Sequence, residues 1–198
     1  LQTGNGNRMK LGLRQIIAVI PALFLAIVTP AQDLPKMPAD QAVTAGVLPN
    51  GLSYYIVSNT YEKGLADFAL IQKTGTLSVP DSLTVDSDAV KVARQALTSL
   101  PRLKNDSPQD FFIRHGAVPG RNGYVSVSED ATVFRFPGVR LSDHKAVLDS
   151  ALVVLLDIAD RGNFSDNPFL NKWYASADQA VVISGDVDAK ALASRLEA

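Results

Sequence analysis

The chain has 198 residues, with 19 Lys and Arg against 20 Asp and Glu, two histidines, no cysteine and 46% hydrophobic residues. That length suits one domain with enough chain to bury a core. A net charge of −1 excludes a broadly basic nucleic-acid binder. The missing cysteines exclude a disulfide scaffold, thiol catalysis and any Cys-ligated zinc or iron–sulfur site. Only His115 and His144 supply imidazole.

Arg8, Lys10 and Arg14 precede a thirteen-residue apolar stretch, Ile16 to Val28, interrupted only by Pro21. Thr29-Pro30-Ala31 follows, and then Gln32-Asp33. A basic start, a short apolar run and small residues at a cut are the parts of a secretory signal peptide, with cleavage expected between Ala31 and Gln32. A spanning helix needs about 20 apolar residues, so the stretch is short for an anchor. Met9 reads as the start, with residues 1–8 as upstream sequence. Cleavage leaves 167 residues with 16 basic and 20 acidic side chains, a net charge of −4. Export without cysteines fits a bacterial periplasm, with no stable membrane span after signal removal.

Residues 32–42 hold two prolines and no periodicity, and read as a leader. Pro49-Asn50-Gly51 is turn chemistry, set between Val47-Leu48 and the β-branched, aromatic run Leu52 to Val57. Ala66 to Gln72 is expected to be the antiparallel partner of that run. Asp86-Ser87 is placed to cap a helix that carries Val90, Ala93, Ala96, Leu97 and Leu100 and stops at Pro101. Ser107-Pro108-Gln109-Asp110 starts a second, shorter helix that ends near Gly116. Tyr124 to Ser128 and Thr132 to Phe136 alternate as two strands. Ser142-Asp143 opens the longest helix, where Leu148, Ala151, Leu152, Leu155, Ile158 and Ala159 recur at helical spacing and Val153-Val154 widen the buried face. Ala180 to Ser184 is a buried strand, turned by Gly185-Asp186 into a last helix with Leu192 and Leu196. The order β-β-β-α-α-β-β-α-β-α predicts an α+β fold, a mainly antiparallel sheet flanked by helices.

The candidate chemistry is sparse. Asp81, Asp86, Asp88 and Asn105-Asp106 lack the spacing of a calcium loop and read as loop acids and caps. His115 ends a helix, where the dipole favours a cation; His144 sits in a first turn beside Asp143. Gly116 to Gly123 carries three glycines, but a helix precedes it and a strand follows, the reverse of a phosphate loop. No Gly-x-Ser-x-Gly elbow is present. Trp173-Tyr174 reads as packing beside a buried strand.

Four stretches in order resemble the N-terminal half-domain of the insulinase/pitrilysin family of zinc peptidases. They are Val47 to Val57 with its Leu-Pro-Asn-Gly-Leu; Phe68 to Gly75; Asn122-Gly123-Tyr124 through Asp130 to Phe134; and Lys172-Trp173-Tyr174 followed by Val181 to Asp188. The resemblance covers residues 43–198. It implies chemistry built on an inverted motif, His-x-x-Glu-His, in which two histidines on one helix face bind zinc and the Glu activates water. Here the equivalent helix, Asp88 to Leu100, holds neither His nor Glu. The motif positions fall near Val92, Gln95 and Ala96: metal positions at Val92 and Ala96, base position at Gln95. By the resemblance, the third ligand belongs to a helical stretch that is missing here after Asn163.

The resemblance therefore implies an exported, catalytically inactive peptidase homologue without a zinc cofactor. It would act as a structural or partner-binding half, with a second insulinase-like domain or subunit as partner and peptides as further candidates. The chain, ending at Ala198, would then be the front piece of a longer product. The competing expectation is a zinc metallopeptidase completed by a second chain, with Arg114, His115 and Arg121 the first residues to test.

Overall fold

The computed structural model describes residues 40–78, 88–98, 106–121, 123–141, 144–160 and 168–198. The signal-like segment with its Ala31-Gln32 cut, the leader before Asp40, Asp81, Asp86, Asn105, the Ser142-Asp143 helix start, the His144 side chain and the stretch just after Asn163 lie outside the described residues.

Six strands and five helices follow in order among the described residues: β1 (Val43–Val47), β2 (Ser53–Ser58), β3 (Leu65–Gln72), α1 (Asp88–Thr98), α2 (Pro108–Arg114), β4 (Val125–Val127), β5 (Thr132–Arg140), α3 (His144–Ala159), α4 (Pro168–Trp173), β6 (Gln179–Gly185) and α5 (Ala189–Leu196). The fold is α+β, and the strands form one sheet in the order β1-β2-β6-β3-β5-β4. All neighbours are antiparallel except β2 and β6. Among the described residues no helix is long and apolar enough to cross a membrane.

Local chemistry accounts for most of the elements. The β1–β2 hairpin closes where the Leu48 N–H donates to the Leu52 carbonyl, and Gly51 takes the positive φ of 90° that the turn needs. Ser107 caps α2 by accepting the Asp110 N–H at 3.0 Å, with Pro108 in the first turn. Asp188 caps α5 by accepting the N–H groups of Lys190 and Ala191.

Four expectations change. Strand β3 does not pair with β2, because β6 lies between them, parallel to β2 and antiparallel to β3. Its alternate residues Val181 and Ile183 are buried, and the middle of the sheet gives them core below and a strand on each side. Strand β5 runs on past Phe136 to Arg140. Pro137 and Gly138 face only Asp67 of β3, a bulge in which Gly138 adopts φ 70° and gives its N–H to Asp67 Oδ1 at 2.8 Å. Val153 does not widen the buried face of α3: it is 51% exposed, while Val154, Leu155 and Ile158 are buried. An additional short helix, α4, precedes Tyr174.

The core lies on one side of the sheet. Tyr54, Ile56, Phe68, Leu70, Phe134, Phe136, Val181 and Ile183 point into it and meet the apolar faces of α1, α2, α3 and α5. Phe112 of α2 stacks on Phe136 with ring centroids 3.8 Å apart. The opposite face carries Tyr55, Val57, Ala69, Ile71, Val133 and Val182, half-buried or exposed, together with Ser53, Asp67, Arg135 and Ser184. No described helix packs on it. A sheet that faces water on one side usually alternates apolar-in with polar-out, so the apolar residues at the middle of this outer face are unusual.

Candidate functional site

Helix α1 turns Val92, Ala93, Ala96 and Leu97 inward and Lys91, Arg94 and Gln95 outward. Val92 and Ala96 are one turn apart on the same buried face, with exposures of 5% and 1%. Val92 packs against Tyr174, with Trp173 beside them. Zinc needs imidazole, thiolate or carboxylate donors, and at positions 92, 95 and 96 this chain offers two alkyl groups and an amide. These residues do not fit the metal. No cluster of three His, Cys, Asp or Glu exists elsewhere among the described residues.

Below this position the sheet ends in a buried polar row. Thr132, Gln72 and Gln179 stand in register across β5, β3 and β6, and all three are buried. Gln72 Nε2 and Thr74 Oγ1 both donate to the Trp173 carbonyl at 2.8 Å, Thr132 Oγ1 donates to the Thr74 carbonyl at 2.7 Å, and Gln179 Nε2 donates to the Ala159 carbonyl at 2.9 Å. The row pins the Trp173-Tyr174 segment against α1. Sequence reasoning missed it, since a polar residue in a strand gives no sign of which neighbour it will meet.

The other residues singled out are placed as follows. His115 is the C-cap of α2; its Nδ1 lies 2.8 Å from the Phe111 carbonyl, and its ring rests on the Phe111 ring at 4.5 Å. Arg114 grips Asp106 through both guanidinium nitrogens, and these bonds hold the Asp106 carboxyl below the usual carboxylate range. Arg121 belongs to neither contact. It lines a separate cleft of about 240 Å³ with Arg135, Ser126 and Val133, beside the short edge strand β4.

That edge is open. The Arg135 N–H donates to the Tyr124 carbonyl and the Ser128 N–H to the Ala131 carbonyl, both at 2.8 Å. By the alternation of an antiparallel ladder, the peptide groups of Val125 and Val127 then point away from β5, toward the free side.

No protein-family model matches the chain, and no curated protein matches it. Solved structures do. The periplasmic protease PqqL from Escherichia coli aligns with a TM-score of 0.65 at 18% identity, over 80% of this chain and 23% of that one. A predicted insulinase family protease from Yersinia pestis aligns with a TM-score of 0.61 at 18% identity, over 85% of this chain and 48% of that one. Pitrilysin aligns with a TM-score of 0.59 at 15% identity, over 83% and 23%. The fold is that of the insulinase/pitrilysin half-domain. The chain spans about a quarter of the length of PqqL and of pitrilysin, and just under half of the Yersinia pestis protein.

Proposed function

We propose that this chain is a non-catalytic half-domain of the insulinase/pitrilysin type, exported to the periplasm, which pairs with a second insulinase-like domain and presents surface to it and to peptides. In this reading residues 1–31 are removed and residues 43–198 form the working domain. The observation that carries it is the inner face of α1, where Val92 and Ala96 are buried alkyl groups packed into the domain; by the resemblance, the metal positions fall near them. The outer face of the sheet, on which no described helix packs, supports the pairing, because the half-buried Ala69, Ile71 and Val182 lose their remaining water only if something covers them. The signal-like segment supports export, and a fold neighbour is described as a periplasmic protease.

The test is elemental analysis of the purified, exported chain, never exposed to chelators, alongside hydrolysis of a quenched fluorescent peptide. Zinc near zero per chain and no hydrolysis are expected. About one zinc per chain with hydrolysis would overturn the reading, and zinc retained only with a second chain would favour a shared metal site. N-terminal sequencing of the periplasmic fraction checks the Ala31-Gln32 cut.

A further inference from the structure

The cleft beside β4 has an unusual lining for a mildly acidic chain. Two of its side chains are the cations Arg121 and Arg135, and no acidic residue lines it among the described residues. Arg121 is exposed and makes no ion pair or hydrogen bond among the described residues. Arg135 has one acid within reach, Asp67 at 3.6 Å, too long for a hydrogen bond, and both partners are substantially exposed. Asp67 spends its Oδ1 on the Gly138 N–H of the bulge, and only its Oδ2 faces the Arg135 guanidinium. Among the described residues neither guanidinium makes a hydrogen bond, and Arg135 keeps only a loose ion pair with Asp67. The Ser126 hydroxyl, also exposed, adds a third. Tyr124 adds none, since its hydroxyl is bound inward to the Ala117 carbonyl.

We propose that this cleft is a carboxylate-binding subsite that makes the half-domain select acidic over neutral peptides. The proposal rests on the reading that the domain engages polypeptide. A guanidinium offers paired N–H groups that match a carboxylate, and two of them around one small cleft favour an anion over an amide. Val133 forms an apolar patch beside them, suited to the methylene groups next to the carboxylate. Val125 lines the same cleft, and the outward peptide groups of Val125 and Val127 on the adjoining edge suit an extended chain. The carboxylate can be an Asp or Glu side chain or a free C-terminus; the chemistry at the arginines is shared.

The test uses the full chain and three fluorescein-labelled peptides of otherwise identical sequence: a central Glu with an amidated end, a central Gln with an amidated end, and a central Gln with a free C-terminal carboxylate. Binding is read by anisotropy at about 20 mM and about 300 mM salt, where screening differs strongly. At least one carboxylate-bearing peptide is expected to bind about tenfold more tightly than the neutral one, the size expected of one charge-assisted contact. Which of the two gains identifies the source. The advantage shrinks at high salt and is lost in Arg121→Ala and in Arg135→Ala, but stays in Arg114→Ala, whose side chain is bound to Asp106. Both cleft arginines are exposed, and circular dichroism checks that the variants fold. Equal binding of all three peptides, or selectivity unchanged in both cleft variants, would overturn the proposal. Zinc content and pairing with a second domain are read separately, so losing peptide selectivity alone leaves the broader function standing.

Discussion

Val92 of α1 packs against Tyr174, the residue after α4, and each buries the other, with Trp173 alongside. The Trp173 carbonyl is in turn held by the Gln72 and Thr74 side chains from the end of β3. The inner face of α1 is thus closed by apolar contact, and the Trp173-Tyr174 segment that closes it is anchored by part-buried hydrogen bonds. Three consequences concern stability and one concerns association.

Restoring the motif by Val92→His, Gln95→Glu and Ala96→His is expected to cost stability without restoring the metal. Position 96 is almost fully buried, so an imidazole there must displace core side chains, at about 1–3 kcal/mol for overpacking. Urea denaturation should show a lower midpoint, and elemental analysis after dialysis should show well under one zinc per chain.

Phe136→Ala removes a fully buried ring that stacks on Phe112 and contacts Tyr124. A loss of about 3–5 kcal/mol is expected from transfer and cavity effects together. Chemical denaturation measures it directly, and a loss under about 1 kcal/mol would contradict this account of the core.

Alkaline pH should destabilise the domain through two tyrosines. The hydrogen bond to Glu197, then burial, then the Glu197 charge raise the Tyr54 hydroxyl above its usual value of 10.0; burial raises Tyr124. A group that holds its proton more tightly when folded contributes stability present below its unfolded pKa. That contribution is lost as pH rises through the folded value. Melting temperature should therefore fall above about pH 10, and Tyr54→Phe should flatten the decline. An unchanged slope in that variant would remove Tyr54 from the explanation.

Val182→Lys places a charge at the centre of the bare sheet face, on the strand flanked by β2 and β3. The side chain reaches water there, so the folding cost should stay at about 1 kcal/mol or below. Association with a second insulinase-like domain should be lost, as read by co-elution and light scattering. Retained association would move the interface elsewhere.

Much of the fold is legible in the residues because its causes are local. Asn50-Gly51 makes the hairpin turn by itself, Ser107 and Asp188 cap their helices with their own side chains, and the β-branched apolar run from Ala180 to Ser184 marks β6 as a strand. Val92, Gln95 and Ala96 could be judged as donors from residue type alone, since neither an alkyl group nor a neutral amide becomes a zinc ligand of this kind in any fold.

The tertiary structure decided what depends on partners far apart in the chain. Strand β6 enters between β2 and β3 because long-range pairing and burial, not neighbouring residues, set strand order. Gly185 shows the same dependence. A Cβ there would stand 2.4 Å from the Leu65 carbonyl oxygen, a closeness that exists only once β6 has docked on β3. The polar row, the bare sheet face and the meeting of Arg121 with Arg135 at one cleft are likewise products of docking. Local sequence sets what each segment can be, because φ, ψ and capping are settled within a few residues; which surfaces meet is settled only when the whole chain buries its apolar area at once.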